Sequence, residues 1–255
     1  MAVLTPWDRL LHFVLPSFCL GCGEPLPASA TLGLCRACRG KLVRLDLARC
    51  PICWRPNLGA ATAGAACASC RTAAPSCDRL LAAWSYQEPL ASVLLAFKFG
   101  RLDYLGSALA RAIAELLGET LSTCDLVVPV PLHWRRRLAR GYNQAERIAR
   151  PLAARLQIPL RTALRRRRPT PAQSQLDRAE RLRNLADAFA VWRPGAVAGR
   201  RILLVDDVVT TGATVEAAAA SLRAAGAAEI HAVAAARTPR EKAPVHPVAL
   251  PLRSV

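Results

Sequence analysis

Two neighbouring carboxylates followed by a run of hydroxyl residues give the clearest chemical signal in this sequence. Asp206 and Asp207 follow the apolar run Ile202–Val205, which is typical of a strand buried on both faces of a parallel sheet. The turn Thr210–Thr214 comes next, and the Ala- and Leu-rich segment Val215–Ala225 then predicts a helix. The residues of the turn are Thr210, Thr211, Gly212, Ala213 and Thr214.

This order suits a ligand with a phosphate at one end and neighbouring hydroxyls at the other. A helix N-terminus carries unpaired N–H groups and a partial positive charge, so it attracts a phosphate. Gly212 allows close approach of the backbone, and the two aspartates can accept hydrogen bonds from a sugar diol. The stretch therefore predicts a site for a ribose 5-phosphate. The alternative is an ordinary strand–turn–helix in which these side chains only cap the helix.

Eight of the ten cysteines form four C-x-x-C pairs near the start of the chain. Twelve residues separate the first pair from the second, and thirteen separate the third from the fourth. Each C-x-x-C places two thiolates on one tight turn, and two such turns complete a tetrahedral zinc shell. Four protein ligands leave no open position, so the zinc would be structural. The predicted ligands are Cys19, Cys22, Cys35, Cys38, Cys50, Cys53, Cys67 and Cys70.

The cysteine spacing leaves the ligand pairing and the number of zinc ions, one or two, open. Two zinc ribbons in tandem are the simplest arrangement, but a cross-braced arrangement and a partly degenerate module with one metal have the same spacing. A redox dithiol is a further alternative. Cys77 and Cys124 stand outside the pairs, and we interpret them as small buried apolar residues rather than nucleophiles.

Composition and charge narrow the class of protein. The chain has 255 residues, with 35 Lys and Arg against 18 Asp and Glu, which gives a formal charge of +17. Such an excess favours anionic partners such as nucleic acid, phosphorylated metabolites or acidic lipid. No apolar run reaches the roughly 18 residues of a membrane span, and the N-terminal stretch lacks the basic leader of a signal peptide. We therefore expect a cytoplasmic protein.

After the cysteine pairs, the pattern alternates strands and helices, which is typical of an α/β fold with a parallel sheet. The predicted strands are residues 80–86, 125–129, 189–191, 202–205 and 229–236. The predicted helices are residues 89–99, a helix capped by Asp103 that ends at Leu117 before Gly118, a helix that ends at Gln157, and residues 215–225. The polar, proline-containing stretch 161–184 predicts a long loop.

The motifs of this chain, taken in order, resemble those of a known family. Residues 205–214 (VDDVVTTGAT) resemble the 5-phosphoribosyl-1-pyrophosphate (PRPP) signature of type I phosphoribosyltransferases. Together with the cysteine pairs, they give the chain a likeness to the ComF (ComFC) family of competence-associated proteins over almost its whole length. The other motifs are FKFGR (Phe97–Arg101), VPVPLH (Val128–His133), RGYNQAE (Arg140–Glu146) and the loop residues Gln173, Leu176, Arg181 and Asn184.

The resemblance implies a fold and a division of the chain. It implies an α/β type I phosphoribosyltransferase domain, Rossmann-like, with a mostly parallel sheet, helices on both faces and a small zinc-ribbon module in front. The expected segments are an N-terminal helix over 1–17, the zinc ribbon or ribbons over 18–76, the phosphoribosyltransferase domain over 77–237 and a disordered basic, proline-rich tail over 238–255.

The resemblance also implies roles for the site residues. Asp206 and Asp207 would hold the ribose hydroxyls of PRPP, and Thr210–Thr214 would hold its 5-phosphate. Mg²⁺ would accompany PRPP. The loop that receives the pyrophosphate would consist of Val130, Pro131, Leu132 and His133. A flexible loop would close over the substrate, and it would include Gln173, Arg178 and Arg181.

Two functions follow from the resemblance. In the first, the protein binds PRPP and handles incoming single-stranded DNA on the cytoplasmic side of the membrane, together with other DNA-uptake proteins. In the second, it is an active phosphoribosyltransferase on a nucleobase or amine acceptor and is unrelated to DNA uptake. A purine-salvage role is disfavoured, because members with that role have an acid four residues after the first Asp, where this chain has Thr210.

Overall fold

The computed structural model describes residues 18–27, 30–45, 49–55, 65–72, 74–100, 102–167 and 188–239. Three sequence-based expectations lie outside the described residues. They are the N-terminal helix over 1–17, the flexible-loop residues Gln173, Arg178 and Arg181, and the tail beyond residue 239. Among the described residues, no helix combines the length and the apolar character needed to cross a bilayer.

In the described part of the chain, six strands form a main sheet and a small satellite sheet. The strands are β1 (Arg79–Ser85), β2 (Leu126–Pro129), β3 (Leu164–Arg166), β4 (Phe189–Val191), β5 (Arg201–Val209) and β6 (Glu229–Arg237). The main sheet is entirely parallel and has the order β1–β6–β5–β2, and β3 pairs with β4 in antiparallel fashion. The helices are α1 (Arg36–Gly40), α2 (Ala68–Thr72), α3 (Leu90–Phe99), α4 (Leu105–Leu121), α5 (Trp134–Arg140), α6 (Gln144–Leu156) and α7 (Ala213–Ala224).

The central strand β5 is covered on both faces. Four consecutive residues, Ile202 to Val205, are fully buried, and successive side chains of a strand point to opposite faces of the sheet. Helix α6 packs against β2 and β5, and α7 packs against β5, β6 and the satellite strand β4. The parallel sheet between helices confirms the predicted α/β fold class.

Several element boundaries differ from the sequence-based prediction. Helix α4 continues through Gly118 to Leu121, because the buried Leu121 side chain packs into the core and outweighs the low helix propensity of glycine. Asp103 does not cap this helix through its side chain, which instead pairs with Arg147 of α6 (Oδ2–Nη2 3.1 Å). Arg166, predicted in a loop, lies in β3, and its guanidinium packs over the ring of Phe189 in β4 (5.3 Å).

The cysteine-rich module covers the free edge of β1. The backbone N–H of Ser85 donates to the carbonyl of Val43 (2.9 Å), and that of Leu80 donates to the carbonyl of Ile52 (2.7 Å). In the opposite direction, the indole N–H of Trp54 donates to the backbone carbonyl of Ala82 in β1 (3.2 Å). An uncovered edge strand would expose unpaired backbone groups, so the module satisfies an edge that the sheet leaves open.

The two glycines of α4 have opposite surroundings. A Cβ atom at Gly106 would lie 2.7 Å from the backbone carbonyl oxygen of Arg147 in α6, whereas at Gly118 the nearest atom is a Leu156 methyl at 3.8 Å. We expect Gly106→Ala to lower the free energy of unfolding by about 1–3 kcal/mol through overpacking. We expect Gly118→Ala to raise it by about 0.5–1 kcal/mol, because Ala is the better helix former. Denaturant unfolding measures both changes, and equal effects at the two positions would contradict the close packing of α4 on α6.

Candidate functional site

The two aspartates lie where β5 continues past the end of its neighbour β2, at the carboxyl edge of the sheet. Strand β2 ends at Pro129, which pairs with Val205, so Asp206 and Asp207 extend beyond it. The backbone N–H of Asp207 donates to Asp206 Oδ1 (2.9 Å), and that of Val208 donates to Asp207 Oδ1 (2.7 Å). Both carboxylates are thus oriented by their own strand at the edge where open α/β sheets bind ligands.

A lysine from a different element balances this pair of charges. Lys98, in the last turn of α3, places its Nζ 3.0 Å from Asp207 Oδ2. Burial raises the pKa of Asp206 above its usual range, the neighbouring Asp207 carboxylate raises it further, and Lys98 opposes the rise. A ligand that offers hydrogen-bond donors to the two carboxylates would relieve this unfavourable arrangement. Lys98 stands inside the FKFGR motif, but the sequence alone did not indicate this contact with the acid pair.

The predicted phosphate loop follows directly at the same edge. Gly212 has φ +89 and precedes the first residue of α7, Ala213, so the helix begins two residues earlier than the sequence predicted. The left-handed conformation is one that glycine adopts without strain. The backbone N–H of Ala213 points to Thr211 Oγ1 (3.4 Å), and Thr210 is exposed. The loop therefore presents hydroxyls and a helix N-terminus beside the acid pair.

The predicted pyrophosphate loop follows β2 and is anchored at both of its ends. The N–H of Val130 donates to the carbonyl of Val205 (2.9 Å), and the side-chain amide of Asn143 donates to the carbonyl of Val130 (3.0 Å). At the other end, the buried His133 accepts a hydrogen bond at its carbonyl from the N–H of Arg137 (3.0 Å). The first contact ties the start of the loop to β5, and the last ties its end to the first turn of α5.

The RGYNQAE motif ties the surrounding helices together, a role that the sequence did not reveal. The Tyr142 hydroxyl donates to the carbonyl of Phe97, and the two rings lie 5.7 Å apart. The guanidinium of Arg140 lies over the ring of Phe99 (5.0 Å) and donates to Gln144 Oε1 (3.1 Å). The motif thereby fixes the end of α3, and with it the lysine that faces the acid pair.

The structure brings three of the four predicted groups of site residues together at one edge of the sheet. These are the acid pair, the phosphate loop and the pyrophosphate loop. The fourth group, the flexible-loop residues, stays a prediction because it lies outside the described residues.

The cysteine pairs form two separate clusters in tandem. The first contains Cys19, Cys22, Cys35 and Cys38, and the second contains Cys50, Cys53, Cys67 and Cys70. Within each cluster the sulfur atoms lie within 4.8 Å of one another, and the Cys22–Cys35 and Cys53–Cys67 sulfur pairs are each 3.7 Å apart. Zn–S bonds of about 2.3 Å in a tetrahedron place sulfurs about 3.8 Å apart, so both clusters fit zinc. This grouping matches tandem ribbons and not a cross-braced arrangement.

The two remaining cysteines are buried, as predicted. Burial raises the pKa of the Cys77 thiol to about 12 and that of the Cys124 thiol to about 11. Cys124 Sγ lies 3.7 Å from Nδ1 of His231, but the raised pKa keeps the thiol protonated at neutral pH. Neither residue has the environment of a nucleophile.

We expect purified protein to contain two zinc ions per chain, measured by native mass spectrometry. Alkylation at neutral pH should then label eight more cysteines after chelation than before it, because Cys77 and Cys124 stay buried and protonated while zinc masks the others. Complete unfolding should expose all ten. A single zinc ion, or rapid labelling of Cys124 in the zinc-loaded protein, would contradict this assignment.

Comparison with known proteins gives two family matches and several curated relatives. The model of the double zinc ribbon domain matches residues 10–71, and that of the phosphoribosyl transferase domain matches residues 140–251. The chain is 35% identical over 230 residues to the DNA utilization protein YhgH of Escherichia coli K12, which covers 88% of this chain and 98% of the relative. It is 34% identical over 178 residues to competence protein F of Haemophilus influenzae (67% and 78%). It is 29% identical over 202 residues to competence protein ComFC of Bacillus subtilis (76% and 80%).

Proposed function

The chain belongs to the ComF family of proteins with a double zinc ribbon and a phosphoribosyltransferase domain, and we propose that it binds PRPP with Mg²⁺ and handles incoming single-stranded DNA. The observation that carries the PRPP proposal is the meeting of the acid pair, the phosphate loop and the pyrophosphate loop at one sheet edge. The DNA proposal is supported by the names of the relatives, which are competence proteins and DNA utilization proteins. We propose that the protein handles DNA on the cytoplasmic side of the membrane, together with other DNA-uptake proteins.

The residues of the site suit the three parts of PRPP. Asp206 and Asp207 would accept hydrogen bonds from the two ribose hydroxyls, while the N–H groups and hydroxyls of Thr210–Thr214 would bind the 5-phosphate. The loop 130–133 would receive the pyrophosphate. The salt bridge from Lys98 would fix the direction of the Asp207 carboxylate. Mg²⁺, bound with the pyrophosphate, would supply neutralising positive charge.

An exposed face of aromatic and basic side chains beside this site supports a nucleic-acid partner. Trp134 and Leu138 of α5 are 58% and 75% exposed, and Phe99 at the end of α3 is 68% exposed. Arg137 is exposed on the same helix. The guanidinium of Arg140 stacks over the ring of Phe99 and interacts electrostatically with Asp207 of the acid pair. Aromatic rings stack on unpaired bases and arginines bind phosphates, which is the combination that single strands require.

A second candidate function is catalysis at the same site. An acceptor nucleophile would form a bond to C1 of the ribose while the bond from C1 to the pyrophosphate oxygen breaks, and the bonding electron pair leaves with pyrophosphate. The intact acid pair and phosphate loop favour this reaction, with a nucleobase or amine as the acceptor. Release of pyrophosphate from PRPP in the presence of a candidate acceptor tests it.

We expect Asp206→Asn to weaken PRPP binding by about 100-fold, because the amide offers the ribose hydroxyls one acceptor oxygen where the carboxyl group offers two. The same change should stabilise the free protein. The pKa of Asp206 is raised on folding, so the folded chain holds its proton more tightly than the unfolded chain, and stability falls as the pH rises through that pKa. Removing the ionisable group should raise the Tm by roughly 2–4 °C at pH 8, an effect of about 1 kcal/mol.

Asp125→Asn is the matched control for that experiment. Asp125 precedes β2 at the opposite edge of the sheet, where Arg201 lowers the pKa of Asp125 to about 2 through hydrogen bonds and a salt bridge (2.8 Å). Its replacement should leave PRPP affinity unchanged and should not raise the Tm. Calorimetric titration and thermal unfolding measure the two quantities. Unchanged PRPP binding in Asp206→Asn would contradict the assignment of the ribose site.

We expect Trp134→Ala to weaken binding of a fluorescent oligo(dT) by about 5- to 100-fold, which corresponds to the loss of one base-stacking platform. Trp192→Ala is the matched control. Like Trp134, Trp192 is exposed, and it has an arginine, Arg193, over its ring (4.3 Å), but it follows β4 in the satellite sheet. Fluorescence anisotropy at one fixed salt concentration measures both. Equal losses in the two variants, or no loss in Trp134→Ala, would contradict a stacking role for α5.

A further inference from the structure

The second cysteine cluster extends an arginine to the phosphate loop. Arg55 Nη2 donates a hydrogen bond to the backbone carbonyl of Thr211 (3.2 Å) across a separation of 156 residues. We propose that Arg55 is a positioning residue for the 5-phosphate site, and that zinc in the second cluster sets PRPP affinity through it. The inference rests on the proposed PRPP site and gives the zinc ribbon a role in ligand binding.

The zinc knuckle itself determines where Arg55 lies. Arg55 follows the ligand Cys53 by two residues, and its carbonyl accepts a hydrogen bond from the N–H of the ligand Cys50 (2.9 Å). The N–H of Trp54 donates back to the carbonyl of Cys50 (2.9 Å). Trp54 has φ 57, a left-handed conformation that a residue other than glycine keeps only when its surroundings hold it. Arg55 therefore leaves the knuckle in a direction that the metal-binding turn dictates.

The rest of the ribbon holds this knuckle firmly against the transferase domain. Trp54 is buried, and its indole is bonded to β1, as is the backbone of Ile52. After the second cluster, the N–H of Ser76 donates to Glu216 Oε1 in the first turn of α7 (2.7 Å), and Arg223 of the same helix donates to the carbonyl of Ser76 (3.3 Å). The ribbon thus contacts both the phosphate loop and the helix that begins there.

A cavity of about 200 Å³ separates the cluster from the loop. Cys53 and Cys70 line it on the ribbon side, Thr211 and Ala213 line it on the loop side, and Arg55 also borders it. Because this space is not filled by packed side chains, close packing cannot transmit the position of the ribbon to the loop there. The hydrogen bond from Arg55 to Thr211 spans this space and can transmit that position.

The hydrogen bond has a direct consequence for the ligand side of the loop. A trans peptide is planar, and its C=O and N–H groups point in opposite directions. By holding the carbonyl of Thr211 toward the ribbon, Arg55 directs the N–H of Gly212 away from the ribbon. The positive guanidinium also polarises this peptide group, which makes its N–H a stronger donor to a phosphate. Arg55 would therefore act on the phosphate through the backbone and without contact.

The first test compares Arg55→Ala, Arg55→Lys and Arg39→Ala in zinc-loaded protein. Arg39 is the matched control, because it belongs to the first cluster and donates to Thr31 (2.6 Å) within that module. Calorimetric titration should show PRPP bound about 10-fold more weakly by Arg55→Ala, partial rescue by Arg55→Lys and no change in Arg39→Ala. The zinc content and the Tm should stay unchanged in all three, which a purely structural role for Arg55 would not allow.

The second test addresses the metal with a double-mutant cycle. Cys67→Ser in the second cluster should weaken PRPP binding in the wild-type background but much less in Arg55→Ala, because the two changes break the same connection. Cys22→Ser in the first cluster should have little effect. Native mass spectrometry verifies that each serine variant loses a single zinc ion.

The outcomes separate this inference from the proposed function. If wild-type protein binds PRPP and Arg55→Ala binds it equally well, the positioning role is wrong and the PRPP site stands. Equal weakening in Arg55→Ala and Arg39→Ala would also overturn the role, because it would indicate a general loss of stability. If wild-type protein does not bind PRPP at all, both proposals fail.

Discussion

Two adjacent carboxylates at the end of a buried strand are the constraint on which the rest of the site depends. Asp206 and Asp207 repel each other, and partial burial of Asp206 increases the cost of its charge, so the pair needs compensation from outside the strand. Helix α3 supplies it through Lys98, and the hydroxyl of Tyr142 holds the end of that helix. The early end of β2 at Pro129 leaves room for a ligand beside the acids. An arrangement that costs stability without a ligand is characteristic of binding sites.

The zinc ribbon is part of the same structure and not an appendage. Its backbone pairs with β1, its buried residues belong to the same hydrophobic cluster as the sheet, and one of its knuckles contacts the phosphate loop. Zinc binding therefore contributes to the folding of a module that completes the sheet edge, because a four-cysteine site forms only when its ligands are brought together. This coupling gives a physical reason for the two domains to occur in one chain.

Much of this arrangement could be predicted from local sequence. The order of buried strand, acids, hydroxyl turn and helix is a local pattern, and the C-x-x-C spacing predicted the eight cysteines that the fold gathers into two clusters. The contacts of Lys98, Asn143 and Arg55 could not be predicted, because each joins residues that are distant in sequence and meet only through tertiary packing. Local propensity also failed where packing opposed it, as in the extension of α4 past Gly118 and in the pairing of Arg166 within β3.

The most direct test of the central claim is calorimetric titration of the zinc-loaded wild-type protein with PRPP and Mg²⁺. We predict saturable binding of one PRPP per chain, with ribose 5-phosphate competing for the same site because it shares the ribose hydroxyls and the 5-phosphate. Absence of PRPP binding in zinc-loaded, folded protein would contradict a PRPP site at this edge of the sheet. Retention of salt-dependent binding to single-stranded DNA in that case would indicate a nucleic-acid-binding protein on a phosphoribosyltransferase fold.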